Sequence, residues 1–395
     1  MTSVLNSQAA IRLRNLFHID HPVVFRLVGA VIFLTLFGIT MVLSASAVQS
    51  GLANNGNYFQ ETLKQAGGAA IGFALLGFIA RFPEFTWRSQ ANNLIYLGAL
   101  MQGLVFTPLG LEYGGNRNWL DIGFTTIQPS EFLKLAIILW LAIWISDNEW
   151  VITEGRLADW KMPAIYVGGP TALILLGGDL GTTLIVAIVL MGMLLLAGFN
   201  GRLLALVTLL GLVIVGFLMN ASSSRRDRIA AWLQGCSVED YDGICWQSQH
   251  GLWALGTGGI FGLGPGSSHA KWSWLPHAES DYIFAIVGEE MGLLGASFVL
   301  LLIAVMAWSF VMLIREYHET FTRLVVTGVF FWLVGQSLVN IAVVLGALPV
   351  LGVPLPFVSS GGTSLMANLM AVGLVVSAVR VADVNRTQFA RGVPR

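Results

Sequence analysis

Residues 24–45 read VFRLVGAVIFLTLFGITMVLSA, with a single charge, Arg26, near one end. About 20 apolar residues in a helix cross the hydrocarbon core of a bilayer. This run has that length, and nine more follow it at 63–81, 92–109, 132–146, 163–177, 181–199, 202–220, 283–314, 322–347 and 362–382. The run 132–146 is short for a span, and 283–314 is too long for one, so it begins outside the bilayer or bends. The first run starts after residue 20 and has full span length, which reads as a retained helix rather than a cleaved signal.

Composition agrees. The 395 residues are 55% hydrophobic and 11% charged, against about 25% charged in soluble domains. Such a chain is neither a soluble enzyme carrying one anchor nor a disordered polymer. The net charge of −1 supplies no basic field for nucleic acid. The expected fold is therefore an all-α integral membrane protein of about ten spans, as a single polytopic domain over residues 1–395.

Charge orients it. With the N-terminus inside, fourteen Lys and Arg fall on the inner side and seven on the outer. Four of those seven lie in the one long connection, 221–282, and loops of that length cross largely regardless of charge. Both termini are expected in the cytoplasm, and the unusual sequence is expected on the outer face. Cys236 and Cys245, the only cysteines, both fall in this extracytoplasmic loop. They read as a disulfide in an oxidising exterior, or as two thiols. Without histidines at zinc spacing they make a poor metal site.

Ionisable residues at membrane depth are costly and mark candidate sites. Asp179, in Gly-Gly-Asp-Leu-Gly-Thr-Thr (177–183), reads as a helix cap or as a wall of a polar cavity. Pro129-Ser130-Glu131 reads as a helix start. Lys134, one turn in, either pairs with Glu131 or faces an anionic ligand. Arg117, in Asn116-Arg117-Asn118-Trp119, suits a phosphate or a lipid headgroup. Gln249 precedes a glycine-dense stretch (254–264) that matches no dinucleotide fingerprint and reads as close backbone packing or a re-entrant segment.

Pro276 breaks the chain, and Ser280 or Asp281 is expected to start the next helix. Asp281 is then either a dipole-complementing helix starter or a catalytic base, and the dipole should favour its carboxylate form. Lys271 is its nearby candidate phosphate partner. Glu289, about 80° round that helix, is expected to line the same cavity, and Glu290, on the far side, to support helix packing. His250, His269 and His277 with Glu279 and Asp281 lack metal-site helix spacing, so a dedicated metal site is not expected. Three prolines stiffen 349–356. Ser359, Ser360 and the residues to Ser364 open the last span as ordinary caps or as an anion site.

Five blocks together resemble the SEDS family (shape, elongation, division and sporulation): GNRNWLDIG (115–123), QPSEFLKL (128–135), GDLGT (178–182), LPHAESDYIFAIVGEEMG (275–292) and PLPFVSSGGTSL (354–365). MVLSAS (41–46) is more similar to its division branch than to its elongation branch. The resemblance implies ten spans and a peptidoglycan glycosyltransferase that polymerises lipid II onto a polyprenyl-linked glycan strand. It implies that Asp281 is the catalytic residue, and that the chain works with a class B penicillin-binding protein, a transpeptidase, among other division-complex proteins of the cytoplasmic membrane. His277 and Glu279 stand in the reverse of the family's common order, so no role carries over to them.

On that reading Asp281 takes a proton from the acceptor sugar. Lys271, Arg117 and Lys134 stabilise the leaving pyrophosphate, with soluble Mg²⁺ or Mn²⁺ held mainly by the phosphates. No tightly bound cofactor is expected. A lipid II flippase and a non-catalytic scaffold are the alternatives. The one-sided clustering of polar blocks and the lack of a repeat weigh against transport.

Overall fold

A computed structural model describes residues 21–53, 55–113, 116–123, 126–202, 204–205, 208–209, 211, 216, 223–235, 243, 245–272 and 274–390. The first run forms α1 (Pro22–Ala53), followed by α2 (Gln60–Ile79) and α3 (Glu84–Leu104). The chain then makes three short strands: β1 (Gly110–Tyr113), β2 (Asn116–Asp121) and β3 (Thr126–Ile127). They pair antiparallel in the order β1-β2-β3, with Leu111 opposite Trp119 and Leu120 opposite Ile127. Helices α4 (Pro129–Asp147) and α5 (Glu149–Glu154) follow. A broken stretch leads through a π turn, Ala164–Gly168, into α6 (Gly169–Leu176). Next come α7 (Leu180–Leu196), α8 (Ser223–Gln234), α9 (Trp246–Gly258), α10 (Ile283–Glu316), α11 (Thr320–Val344) and α12 (Gly362–Ala390).

Among the described residues, six helices are long and apolar enough to cross a membrane: α1, α2, α4, α10, α11 and α12. Helix α7 is equally apolar but has 17 residues. Of the other expected spans, 92–109 lies mostly within the less apolar α3, 163–177 is the π-broken stretch, and most of 202–220 lies outside the described residues. The all-α expectation holds for the bundle. The sheet over 110–127 departs from it, because this short connection has too few consecutive apolar residues for a span.

Helix α12 packs along α2, α10 along α1, α4 against α3 and α11, and α7 against α11. One buried apolar cluster runs from Val23 to Ala382. Outward-facing Phe25, Phe33, Leu36, Ile71, Leu301 and Trp308 are exposed. A hydrophobic rim of this kind suits lipid rather than water.

Helix α10 is kinked at Gly292, whose φ of 65° and ψ of −161° are not helical. A glycine tolerates that conformation where other residues are strained. The kink strands backbone groups, and the glycine-dense stretch supplies their partners. Leu263 and Gly264 donate N–H bonds to the carbonyls of Glu289 and Glu290, at 2.9 and 3.0 Å. Leu293 and Leu294 donate to Gly259 and Ile260, at 2.9 and 3.3 Å. A Cβ on Gly262 would stand 2.2 Å from the Glu290 carbonyl oxygen, so these backbones meet only without one. The stretch is thus close backbone packing, one of the two readings its sequence allowed.

Candidate active site

Asp281 sits two residues before α10, in a turn rather than in the helix. The expected helix start at Ser280 or Asp281 is displaced to Ile283, with Tyr282 as the flanking residue. Asp281 is therefore not stabilised as a helix starter. Burial raises its carboxyl to about 6, against the expectation that a dipole would favour the charged form. His277 and Arg228 draw it down, while Glu279 and Asp179 push it up. The side chain is half-buried, so it is desolvated by its surroundings yet still reachable.

The turn is clamped through its backbone. Asn340 Nδ2, on α11, donates to the carbonyls of Asp281 and Val353, both at 2.7 Å. Ser359 Oγ donates to the Ser280 carbonyl at 2.5 Å and accepts from the Leu355 N–H at 2.8 Å. The Ser360 N–H donates to the Glu279 carbonyl at 2.8 Å. Gln65, on α2, holds the same segment, donating to the Ser359 carbonyl and accepting from the Gly361 N–H. A Cβ on Gly352 would lie 3.8 Å from Asp281 Oδ2, which places the 349–356 connection against the carboxyl. His277 and Phe357, on the two segments that meet here, have φ of 56° and 65°. Such values are rare for bulky residues and mark backbone held by its neighbours.

On the other side of Ser360 and Gly361 opens a cleft of about 620 Å³. Its walls include Lys64 and Gln65 from α2, Trp119 and Asp121 from β2, and Thr363 from α12. Ser360 thus belongs to both places: its N–H holds the Asp281 turn and its residue lines the cleft.

The remaining predicted residues divide. Asp179 caps α7, accepting from the Thr182 N–H at 2.8 Å and its hydroxyl at 2.7 Å. It also accepts from Gln128 Nε2 at 3.3 Å and lies close enough for its charge to reach Asp281. Both of its sequence readings, cap and polar wall, therefore describe it. Lys134 pairs with Glu131 at 2.8 Å, with each side chain about 2% exposed. It also donates to Gln336 Oε1 at 3.1 Å, and Gln336 Nε2 passes the link to the Pro354 carbonyl at 2.9 Å. Arg117 shares a strand face with Trp119 and Asp121, but its guanidinium donates to the Thr107 carbonyl at 2.8 Å. Gln249 is half-buried on α9, whose Gly251 packs against the Tyr282 ring.

Lys271 does not stand beside Asp281 as expected. It is buried, donating to the Gly266 carbonyl at 2.5 Å and pairing with Glu290 at 3.3 Å. Glu289, expected to line a cavity with Asp281, is instead engaged by the loop before α10. It accepts from Ser268 Oγ and the N–H groups of His269 and Ala270. Glu290 accepts two contacts from Ser44 Oγ of α1, at 2.6 and 2.8 Å, and so joins helices as expected. A loop that folds back on α10 satisfies both acids, which spacing along the chain does not reveal. Cys245 is buried and disulfide-bonded, and Cys236, the other half of the expected bridge, lies outside the described residues. Among the described residues no group of three His, Cys, Asp or Glu is placed to hold a metal ion.

Asn340, Gln336 and Gln65 were not singled out from sequence. Their signal was available: amides in otherwise apolar spans, with Gln336 and Asn340 one helical turn apart.

Residues 25–383 match the profile of the cell cycle protein family that includes FtsW, RodA and SpoVE. The chain belongs to this FtsW/RodA/SpoVE family. It is 34% identical over 357 residues to stage V sporulation protein E of Bacillus subtilis, covering 90% of this chain and 96% of that one. It is also 34% identical over 356 residues to the probable peptidoglycan glycosyltransferase FtsW of Thiomicrospira cyclica, covering 89% and 90%. Among solved structures, it resembles a chain from work on structural coordination of polymerization and crosslinking by a peptidoglycan synthase complex. That match has a TM-score of 0.73 and 25% identity, over 92% of this chain and 98% of the other. The rod shape determining protein RodA of Thermus thermophilus matches with a TM-score of 0.66 at 25% identity, over 90% and 96%. As a member of the FtsW/RodA/SpoVE family with six long apolar helices, the chain is a multi-pass membrane protein.

Proposed function

We propose that this protein is a peptidoglycan glycosyltransferase of cell division that polymerises lipid II at the outer face of the cytoplasmic membrane, with Asp281 as general base. The observation that carries the assignment of the base is the clamped turn. Asn340 and Ser359 fix the backbone around a carboxyl whose pKa is raised to about 6. A base with a pKa just below the working pH is mostly ionised and still accepts a proton readily.

In the step proposed, the acceptor GlcNAc 4-hydroxyl attacks the anomeric carbon of the donor MurNAc. The O4–C1 bond forms as the C1–O bond to diphosphate breaks, with its electron pair leaving on the diphosphate. The hydroxyl proton passes to Asp281, and the anomeric centre inverts to a β1-4 linkage. General base catalysis supplies about 10²–10⁴-fold, and positioning supplies the rest. The 620 Å³ cleft lies within the range of about 300–1,000 Å³ typical of ligand sites. Its Trp119 face and polar rim suit a saccharide. Mg²⁺ or Mn²⁺ enters with the substrate, on its phosphates. A class B penicillin-binding protein takes the strands for cross-linking at the septum.

The test is Asp281→Asn in purified protein given lipid II. Strand formation falls by at least about 10²-fold while the thermal melt is not lowered. Strands made at the normal rate by a folded variant overturn the assignment of the base.

A further inference from the structure

Glycosyl transfer from a lipid diphosphate needs a cation where the leaving group accumulates charge. Three candidates from sequence are committed to the protein: Lys134 to Glu131 and Gln336, Lys271 to Glu290 and the Gly266 carbonyl, and Arg117 to the Thr107 carbonyl. Each already spends at least one N–H on a contact the fold makes.

Helix α8, reading SSRRDRIAAWLQ, offers another. Its Trp232 Nε1 donates to the Gly346 carbonyl at 3.0 Å, fastening the helix to the turn that ends α11. Arg228 lies one turn before Trp232, and with Trp232, Ser248 and Leu348 to Val350 it borders a crevice of about 50 Å³. The same connection continues to Gly352, which meets the Asp281 carboxyl. Arg228 is exposed, and among the described residues its side chain makes no hydrogen bond or ion pair with the protein. Its charge nevertheless reaches Asp281 and Tyr282.

We propose that Arg228 is the ligand of the departing diphosphate, held over the Asp281 turn by the Trp232 anchor. A planar guanidinium fits phosphate oxygens in a bidentate fork, and an uncommitted one loses no protein contact on binding. The crevice itself is too small for a substrate. It marks where α8 rests on the 346–350 turn, leaving the guanidinium free at the rim. This inference rests on the polymerase reading for the origin of the diphosphate. A lipid headgroup phosphate would present the same chemistry, so the experiment separates the two.

Full-length protein in detergent is titrated with undecaprenyl diphosphate and, separately, with phosphatidylglycerol. Arg228→Gln weakens undecaprenyl diphosphate binding about tenfold or more, Arg228→Lys recovers part of the loss, and phosphatidylglycerol binding is unchanged. Wild-type affinity for undecaprenyl diphosphate in Arg228→Gln overturns the proposal, as does an equal loss for both lipids, which would make Arg228 a membrane anchor. Asp281→Asn binds undecaprenyl diphosphate at least as tightly as the wild type. If that variant also polymerises normally, the base assignment fails while the Arg228 result stands on its own binding data.

Discussion

As the proposed general base, the Asp281 carboxyl meets two opposite demands, ionisation to accept a proton and burial to exclude water. Burial raises its pKa from 3.8 to about 6. Activity that needs the carboxylate therefore rises with pH through about 6, and a kcat/KM profile should show that acid limb. Stability carries the opposite sign. A carboxyl with a raised folded-state pKa favours folding while protonated, so its contribution is lost as pH climbs from about 4 through about 6. Asn340 aims the same residue without touching substrate. Asn340→Ala removes both bonds to the Asp281 and Val353 carbonyls, and a misplaced base costs about 10- to 100-fold. The expected fall is in kcat with KM little changed. At this scale the sequence was informative about Asp281, Asp179 and Ser360, because polar residues at turns between apolar runs stand out. It did not reveal that Lys271 pairs with Glu290 on α10 or that residues 268–270 satisfy Glu289, since both contacts join points some 20 residues apart. It passed over Asn340, whose role depends on two carbonyls brought from distant segments.

Among elements, the glycine-dense stretch and α10 act as one unit. Their backbones exchange four hydrogen bonds across the Gly292 kink. Gly262→Ala places a methyl 2.2 Å from the Glu290 carbonyl oxygen, on a backbone with φ of 80°. The two strands must separate, costing about 1–3 kcal/mol. A lowered melting temperature, with polymerase activity lost in parallel, is the expected reading. The bend was legible in the excess length of the 283–314 run. The small sheet was not, because its strands are four, six and two residues long and periodicity needs longer windows to speak.

Across the whole molecule, Glu131, Lys134, Asp179, Lys271, Glu289 and Glu290 are buried toward the end of the bundle that holds Asp281, while Arg380 is buried at the other end against the Arg81 carbonyl. Lys134 links α4 to α11 through Gln336, and Gln336 reaches the Pro354 carbonyl on the connection against Asp281. Lys134→Met leaves Glu131 without its partner and should cost about 3–5 kcal/mol. Adding Glu131→Gln should return part of that stability, measurable as a non-additive double-variant cycle in thermal melts. The opposite end is tied by more exposed pairs such as Arg88 with Asp147 and Arg386 with Glu316. The sequence marked the buried acids and lysines because ionisable side chains within or beside apolar runs are costly, while the depth of each charge needed the packing of several helices.

The hinge at Gly292 has a mechanical corollary. Residues 293–316 alone make a rod of about 36 Å, enough to match a bilayer by themselves. The first residues of that rod share the mooring of the short stub beyond it: Leu293 and Leu294 donate to the Gly259 and Ile260 carbonyls, just as the Glu289 and Glu290 carbonyls accept from Leu263 and Gly264. A change in bilayer thickness that tilts the rod therefore pulls on the 259–264 backbone as well, so the loop and both arms of the bent helix shift together.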